Sequence, residues 1–189
     1  MNRPSLMMLL VFALTLVGNA RADDRSEVIA AYMKAFQHKT YRLELRNMDG
    51  RGGTATVDVM MPDTFHMRSA DGEFIVHPKG TWTRQGGQWT KLPMDLTAMM
   101  QNYRAPTEAQ AQRDIGTVVL VGEEQVEGCA ARTYRYRSDS QDFGGGRPGQ
   151  DVLLSVCIAT GLPIRVQPVG EASSLIYDFS ALIDIQPPQ

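Results

Sequence analysis

The sequence predicts a mainly β protein: one curled antiparallel sheet of about ten or eleven strands, covered by an N-terminal helix and a short helical insert. The first observation is a β-meander from Gly53 to Leu92, where short runs rich in Val, Ile, Phe, Thr and Trp end at Pro, Asp-Gly or Gly-Gly. The second is a period of two, which puts Val57 and Val59 on one face and Thr56 and Asp58 on the other. One apolar face per strand is typical of an antiparallel sheet with a covered side and a wet side, and a sheet this large must curl.

Residues 1–22 predict a secretory signal peptide. Arg3 supplies a basic start, an apolar run extends from Leu6 to Val17, and Ala20 to Ala22 forms an A-x-A cleavage site. The run is too short to span a membrane as a helix, and no later stretch is long enough. We therefore expect a domain at residues 23–189, cleaved after Ala22, located in the periplasm and without a lipid anchor.

The charge of the chain excludes one class of partner. Without Arg3 and Arg21 the 19 basic residues fall to 17 against 21 acidic residues, so the expected mature chain carries −4. A nucleic-acid-binding face requires a basic surface, so we expect no nucleic-acid partner.

Helical periodicity occurs at the N-terminus and in the middle of the chain. Asp23 to Lys39 predicts a helix that starts with a capping-box-like pair, Asp24 and Glu27. A second, mostly polar helical piece is expected from Pro106 to about Asp114. Between the meander and this piece, apolar residues at helical spacing predict a short amphipathic insert helix: Leu96, Met99, Met100 and Tyr103.

Alternating segments account for the rest of the chain. Tyr41 to Arg46 predicts the strand before the meander, and Ser138 to Gln150, which contains four glycines, predicts a mobile hairpin loop. The remaining predicted strands are Thr117–Val121, Ala131–Arg137, Val152–Ile158, Pro163–Pro168, Ser174–Phe179 and Leu182–Ile185.

No pattern in the sequence predicts catalysis. The three histidines, His38, His66 and His77, lie in unlike contexts, and His66 alternates with Phe65 and Met67, so we expect it to face water. His66 and His77 lack a third ligand at a suitable spacing for zinc. We therefore expect no catalytic residue, no metal and no cofactor.

The two cysteines predict a structural disulfide. Cys129 and Cys157 end two strand candidates on either side of the glycine-rich loop, so an antiparallel hairpin brings them opposite each other. An exported chain is also where such a bond forms and persists.

Methionines are concentrated in the meander and the insert, and they allow two interpretations. Met fills irregular cores and lines adaptable apolar pockets equally well, so the cluster indicates either an ordinary core or a binding pocket between sheet and insert. Its members are Met60, Met61, Met67, Met94, Met99 and Met100.

Two stretches give the sequence a family resemblance. The order of helix, alternating strand, Val59 to Met67 and a Trp-containing hairpin, followed by Tyr177 to Pro188 at the end, resembles the LolA/LolB-like periplasmic lipoprotein-sorting factors. That resemblance implies an unclosed half-barrel around an apolar cavity, with the helices as a lid. It also implies a cavity that takes lipoprotein acyl chains or other lipids.

Two departures separate this sequence from those carriers. The carriers have an Arg just before the Pro of the strand–turn motif, where this chain has Met61, and the Cys129/Cys157 pair is not expected of them. Related domains also serve as sensors in the cell envelope. The resemblance therefore supports the fold more strongly than it supports the identity of the ligand.

The expected function is non-enzymatic binding and carriage of lipoprotein acyl chains or another lipid by a periplasmic monomer. The alternative is a sensor or interaction module of the cell envelope that docks on an inner- or outer-membrane protein. The expected ligand-binding residues are Leu43, Leu45, Val57, Val59, Met61, Phe65 and Met67 on the sheet, with Leu96, Met99, Met100 and Tyr103 on the insert.

Overall fold

The computed structural model of the chain describes residues 23–47, 53–100, 107–139 and 149–188, apart from the side chain of Met99. The predicted signal peptide at residues 1–22 lies outside the described residues. So does most of the predicted Ser138–Gln150 loop, because residues 140–148 are not described.

Eleven strands form one antiparallel sheet in the order β6-β5-β4-β3-β2-β1-β11-β10-β9-β8-β7. Because β6 and β7 are the two edges and do not pair with each other, the sheet is an unclosed half-barrel, as predicted. The strands are β1 (Thr40–Arg46), β2 (Thr54–Met60), β3 (Thr64–Ser69), β4 (Gly72–His77), β5 (Gly80–Gln85), β6 (Gln88–Leu92), β7 (Ile115–Val126), β8 (Cys129–Ser138), β9 (Gln150–Cys157), β10 (Pro163–Pro168) and β11 (Ser174–Asp178).

Strand register sorts apolar side chains onto one side of the sheet, here called the inner face. Leu43 of β1 pairs with Val57 of β2, and Val57 pairs with Met67 of β3. Side chains alternate between the two faces of a strand, so every second residue of these strands lies on the inner face. The opposite, outer face takes the polar residues between them.

In the described ranges, three helices accompany the sheet: α1 (Asp24–Phe36), α2 (Thr97–Met100) and α3 (Glu108–Asp114). The predicted start of α1 is off by one residue, because the Asp23 carboxylate caps the helix by accepting from the Arg25 N–H. The predicted end at Lys39 is three residues too late, since the Lys39 carbonyl accepts from the Met61 N–H instead of continuing the helix. Within the described ranges, no helix combines the length and the apolar content needed to cross a bilayer.

The helices stand over different parts of the inner face. α1 packs against β7, β9, β10 and α3, whereas α2 packs against β4. Arg25 Nε donates to the Ile115 carbonyl (3.1 Å), and Arg132 Nη1 donates to Glu27 (3.1 Å), so α1 is fastened to β7 and β8 by polar contacts.

The predicted disulfide is confirmed. Cys129 at the start of β8 and Cys157 at the end of β9 are bonded, with their Cα atoms 5.8 Å apart. β8 and β9 pair directly, with Ala131 opposite Cys157, so the hairpin register brings the two cysteines together.

The predicted strand at Leu182–Ile185 is wrong. Residues 181–188, here called the C-terminal strap, have no strand partner, and two of them, Ile183 and Ile185, pack against the outer face. Ile183 and Ile185 turn toward the sheet, because contact with an apolar patch on the outer face removes their side chains from water. The patch consists of Met60, Ile75, Trp82 and Trp89, so this part of the outer face is not wet as predicted.

The rest of the outer face carries charges that pair across the strands. Asp58 accepts from Arg42 Nε (2.5 Å) and from Arg68 Nη2 (2.6 Å), and the Asp58 residue is only 5% exposed. His66 bonds to Glu73 (2.9 Å) and to Arg68 Nη1 (2.9 Å). His66 therefore lies on the outer face as predicted, but it is half-buried in a charge network rather than facing water.

The network sets the charge states of its members. Burial alone raises the pKa of Asp58, but hydrogen bonds from Arg42 and Arg68 outweigh it and lower that pKa from its ordinary value. Burial lowers the pKa of His66, and the Glu73 carboxylate offsets only part of this effect. Arg68 can only donate, so His66 Nδ1 accepts and the neutral ring keeps its proton on Nε2, facing Glu73.

The strap offers a matched test of outer-face packing. We expect Ile185→Ala to lower the free energy of unfolding by about 2–4 kcal/mol, because it removes a side chain that is 3% exposed. Leu182→Ala is the control, since Leu182 is 99% exposed, and we expect a change within about 0.5 kcal/mol. Urea unfolding of both variants measures the difference; equal losses would contradict the packing of the strap on the sheet.

The lowered pKa of His66 leads us to expect a loss of stability in mild acid. Its folded pKa lies below the unfolded value of about 6.5, so the unfolded chain binds the extra proton and stability falls as the pH drops through that value. We expect His66→Gln, which retains an acceptor for Arg68 and a donor for Glu73, to lose less unfolding free energy than the wild type between about pH 7 and pH 5. Carboxylates titrate mainly below this window.

The control is His77→Gln. His77 Nδ1 accepts from the Lys79 N–H in the β4–β5 turn, outside the charge network. We expect this variant to follow the wild-type pH dependence in urea unfolding. If the unfolding free energy of His66→Gln falls with pH as steeply as that of the wild type, His66 is not the cause of the loss of stability in mild acid.

Candidate functional site

Five predicted site residues form the floor of the inner face. Leu43, Leu45, Val57, Val59 and Phe65 are between 0% and 4% exposed. They belong to one core cluster with apolar residues of α1 and of strands β8 to β11. The floor is therefore continuous beneath the helices from one half of the sheet to the other.

Other predicted site residues border this floor. Met61, Met67 and Leu96 pack against the cluster but remain only partly buried, and Met100 of α2 is 3% exposed. The side chain of Met99 and the whole of Tyr103 lie outside the described residues. The structure thus brings nine of the eleven predicted residues to one face, in one cluster or against it.

One row of the inner face remains partly accessible. Register pairs Phe74 with Met67, Met67 with Val57, Val57 with Leu43, and Leu43 with Tyr177. Val57 and Leu43 are buried, whereas Phe74, Met67 and Tyr177 keep accessible surface. We call these five residues the apolar row.

Phe74 and Tyr177 were not among the ligand-binding residues expected from the sequence. Alternation back from the buried Val76 would have assigned Phe74 to the inner face. Tyr177 required knowledge that β11 pairs with β1, which no local pattern contains.

A pair of tyrosine hydroxyls lies beside the row. The Tyr32 hydroxyl of α1 and the Tyr136 hydroxyl of β8 are 2.8 Å apart, and the residues are 2% and 1% exposed. Burial raises the pKa of Tyr32 and of Tyr136, and the nearby Tyr177 hydroxyl adds to both shifts. Burial also raises the pKa of Tyr177 to about 12, so all three tyrosines stay protonated at neutral pH. Sequence reasoning missed this group, because the residues come from three separate elements.

The opposite end of the row also has a hydroxyl. Thr83 of β5 pairs with Phe74, and within the described part of the chain its buried Oγ1 atom has no hydrogen-bond partner. Nearby, the Leu96 N–H donates to Thr81 Oγ1 at 3.4 Å, which ties the start of α2 to β5.

A separate polar depression of about 590 Å³ lies at the far end of the hairpins, between the β3–β4 and β5–β6 turns. Its arginines already have carboxylate partners: Arg84 donates to Glu73 (3.1 Å) and Arg68 to Asp58 (2.6 Å). The depression is therefore not suited to an apolar ligand. It is lined by Arg68, Ser69, Ala70, Asp71, Gly72, Glu73, Arg84, Gln85, Gly86 and Gly87.

Across residues 23–47, 53–100, 107–139 and 149–188, no three His, Cys, Asp or Glu side chains lie close enough together to hold a metal ion. The inner face can bury apolar groups. It also carries hydroxyl groups in two places, at the Tyr32–Tyr136 pair and at Thr83.

Two of the three comparisons with known proteins find no match. No family model matches the chain, and no curated protein matches it.

Solved structures do match. Lipoprotein LppX of Mycobacterium tuberculosis is 12% identical over 82% of this chain and 91% of its own, with a TM-score of 0.59. LprF of Mycobacterium bovis is 10% identical over 88% and 97%, with a TM-score of 0.57. MucB is 18% identical over 88% of this chain and 62% of its own, with a TM-score of 0.50. At these identities the likeness shows the fold alone, which is the unclosed half-barrel described above.

Proposed function

We propose that this protein binds the acyl chain of a lipoprotein or another lipid on its inner face and carries it, without catalysing a reaction. The observation that carries the proposal is the apolar row. Phe74, Met67 and Tyr177 are apolar or aromatic side chains on the concave side of the sheet, yet they remain accessible beneath the helices. Apolar surface that a fold leaves uncovered is typical of a ligand site.

The row has the dimensions and chemistry for an extended chain. From Phe74 on β4 to Tyr177 on β11 the row crosses four strand spacings, about 19 Å along the sheet. Each methylene buried there contributes about 0.8 kcal/mol, so ten contribute roughly 8 kcal/mol before the costs of association. That balance suits binding that is useful and reversible, as a carrier requires.

Unequal attachment of the helices supports access to the row from one side. α1 is fastened to β7 and β8 through Arg25 and Glu27. Among the described contacts, α2 packs on the sheet through Met100, and the Leu96 N–H just before it donates to Thr81 Oγ1. A cover held mainly by apolar contacts opens more readily than one fastened by charged side chains, so the ligand enters between α2 and the strands β3 to β5.

The periplasm is the proposed location. The predicted signal peptide at residues 1–22 supports export, and the Cys129–Cys157 disulfide fits an oxidising compartment. A carrier there takes its cargo from one membrane protein and delivers it to another, so inner- and outer-membrane proteins are the proposed partners of a monomeric chain.

A second candidate function is an interaction module that docks on a membrane protein by its sheet edge. The edge strand β7 favours it, because Val119 and Val121 are 47% and 60% exposed on the outer side of that strand. MucB, which has a similar fold, has been solved in complex with MucA. Native mass spectrometry of the protein purified from its own periplasm separates the candidates: copurified lipid supports the carrier, and a stoichiometric protein supports the module.

Met67→Glu tests the carrier function directly. We expect this variant to weaken saturable binding of a fluorescent fatty-acyl probe by at least about tenfold, because a carboxylate in the row must be desolvated by the ligand. Met67 keeps accessible surface, so the free variant can hydrate its charge and stay folded.

Thr54→Glu is the matched control. Thr54 is exposed and lies on the outer face of β2 opposite Arg46, so a carboxylate there is tolerated and distant from the row. We expect probe binding equal to the wild type. A folded wild type that takes up no acyl probe would defeat the carrier function and leave the interaction module.

A further inference from the structure

All four lysines of the sequence lie at one end of the half-barrel. Lys34 and Lys39 belong to the end of α1 and its link to β1, Lys79 lies in the β4–β5 turn, and Lys91 lies near the end of β6. All four residues are exposed. They come from separate parts of the sequence, and they share one end because the strands run back and forth between the two ends of the sheet.

Strand register and one backbone contact define this end in the meander. The Met61 N–H, just after β2, donates to the Lys39 carbonyl, just before β1, at 2.8 Å. The β4–β5 turn with Lys79 lies at the same end, because antiparallel strands return to it after every second strand. Lys91 pairs with Trp82, near the start of β5, so the end of β6 lies there as well.

Two more segments reach this end through side-chain contacts. Lys34 Nζ donates to the Thr160 carbonyl in the β9–β10 turn. The ring of His38 lies 4.8 Å from the ring of Phe179, just after β11. We call this end of the molecule the lysine rim, which comprises residues 34–39, 61–63, 78–79, 91–95, 158–162 and 179–182.

The lysines of the rim are not used in ion pairs. In the part of the chain that the structure describes, every ion pair takes its cation from an arginine or from His66. The Lys91 ammonium lies 5.3 Å from the centre of the Trp82 ring instead. Four lysines against Asp63 and Asp95 give the rim a charge of +2, whereas the expected mature chain carries −4. Positive charge is therefore concentrated at the rim, without carboxylate partners to neutralise it.

The rim also exposes apolar side chains. Of the seven large apolar residues that are exposed in the described ranges, four lie here: Phe36 (40%), Met94 (55%), Ile158 (46%) and Leu182 (99%). Apolar side chains beside cations are typical of a surface that lies on a membrane, where ammonium groups meet lipid phosphates. The four come from four separate segments. A soft headgroup layer can take each of them singly, whereas a protein partner would need a matching pocket for each.

We propose that the lysine rim docks on the surface of an anionic lipid bilayer, with its ammonium groups at the lipid phosphates and its exposed apolar side chains in the headgroup region. Residues 91–95 of the rim directly precede Leu96 and α2, where the acyl chain is proposed to enter. Docking by the rim therefore turns that entrance toward the membrane. The inference goes beyond the proposed function, since a bilayer surface can be bound without uptake of an acyl chain.

The test is flotation of the mature chain, residues 23–189, with lipid vesicles in dilute buffer. We expect the chain to bind vesicles of phosphatidylcholine mixed with phosphatidylglycerol, and about 0.5 M sodium chloride should release it by screening the charges. Vesicles of phosphatidylcholine alone should bind it weakly, because they lack net negative charge.

Variants of the rim should weaken this binding. We expect Lys79→Gln to weaken it about fivefold and Lys39→Gln/Lys79→Gln about 25-fold, because each lysine near an anionic surface contributes a similar attraction. Leu182→Gln should weaken it by at least about threefold, because an apolar side chain leaves the headgroup region. The three positions are exposed, so the variants should stay folded.

Matched controls lie on β7 and β8, away from the rim. Arg135→Gln removes one positive charge from an exposed side chain, and Val119→Gln removes an exposed apolar one; the two residues pair with each other. Both variants should keep wild-type vesicle binding. Met67→Glu should keep it too, although it is expected to lose the acyl probe, because Met67 lies in the apolar row and not on the rim.

Several results overturn the inference: equal binding of both kinds of vesicle, no binding of either, lysine variants no weaker than Arg135→Gln, or Leu182→Gln no weaker than Val119→Gln. Retention on a polyglutamate matrix without vesicle binding assigns the rim to an acidic protein instead. Loss of vesicle binding in Met67→Glu shows that the vesicles are bound by acyl uptake rather than by the rim. A wild type that docks on anionic vesicles but takes up no acyl probe supports this inference and defeats the proposed function alone.

Discussion

The antiparallel register of the eleven strands is the constraint on which the rest of this structure depends. Pairing Leu43 with Val57 and Val57 with Met67 commits alternate side chains to the inner face across the whole sheet. The unclosed sheet thereby gains an apolar concave surface that the described parts of α1, α2 and α3 cover unevenly, because Val57 and Leu43 are buried whereas Phe74, Met67 and Tyr177 keep accessible surface. What the helices leave accessible is the apolar row, and the proposed binding function uses that uncovered surface.

The same register explains why the outer face is not simply wet. Asp58 lies opposite Arg42 on β1 and beside Arg68 on β3, so its carboxylate is paired on both sides and stays charged although it is 5% exposed. Such a pair stabilises the sheet only while both partners remain, because an isolated buried charge is costly. A substitution of Asp58 would therefore disturb the fold itself. The exposed Thr54 is the suitable outer-face control for substitutions of the inner face.

The inner face combines adaptable apolar side chains with a fixed polar contact. Aliphatic and methionine side chains pack against many shapes without demanding one geometry. The hydroxyls of Tyr32 on α1 and Tyr136 on β8, by contrast, are bonded at 2.8 Å, so α1 is held on the sheet by a buried hydrogen bond as well as by apolar packing.

Local sequence patterns determined the mainly β class, the meander from Gly53 to Leu92 and the inward alternation of β1 to β3, because period and turn residues are properties of neighbouring residues. The disulfide between Cys129 and Cys157 followed from the midpoint of the loop that joins their two strands. Only the tertiary structure decided which distant strands meet. The pairing of β1 with β11 brought Tyr177 beside Leu43, and the docking of α1 on β8 formed the tyrosine pair. It also placed Ile183 and Ile185 against the outer face rather than in the sheet, because the apolar patch of Ile75 and Trp82 that buries Ile185 is assembled from distant strands. Alternation predicts on which face a side chain lies, but contact across that face depends on how the whole sheet curls.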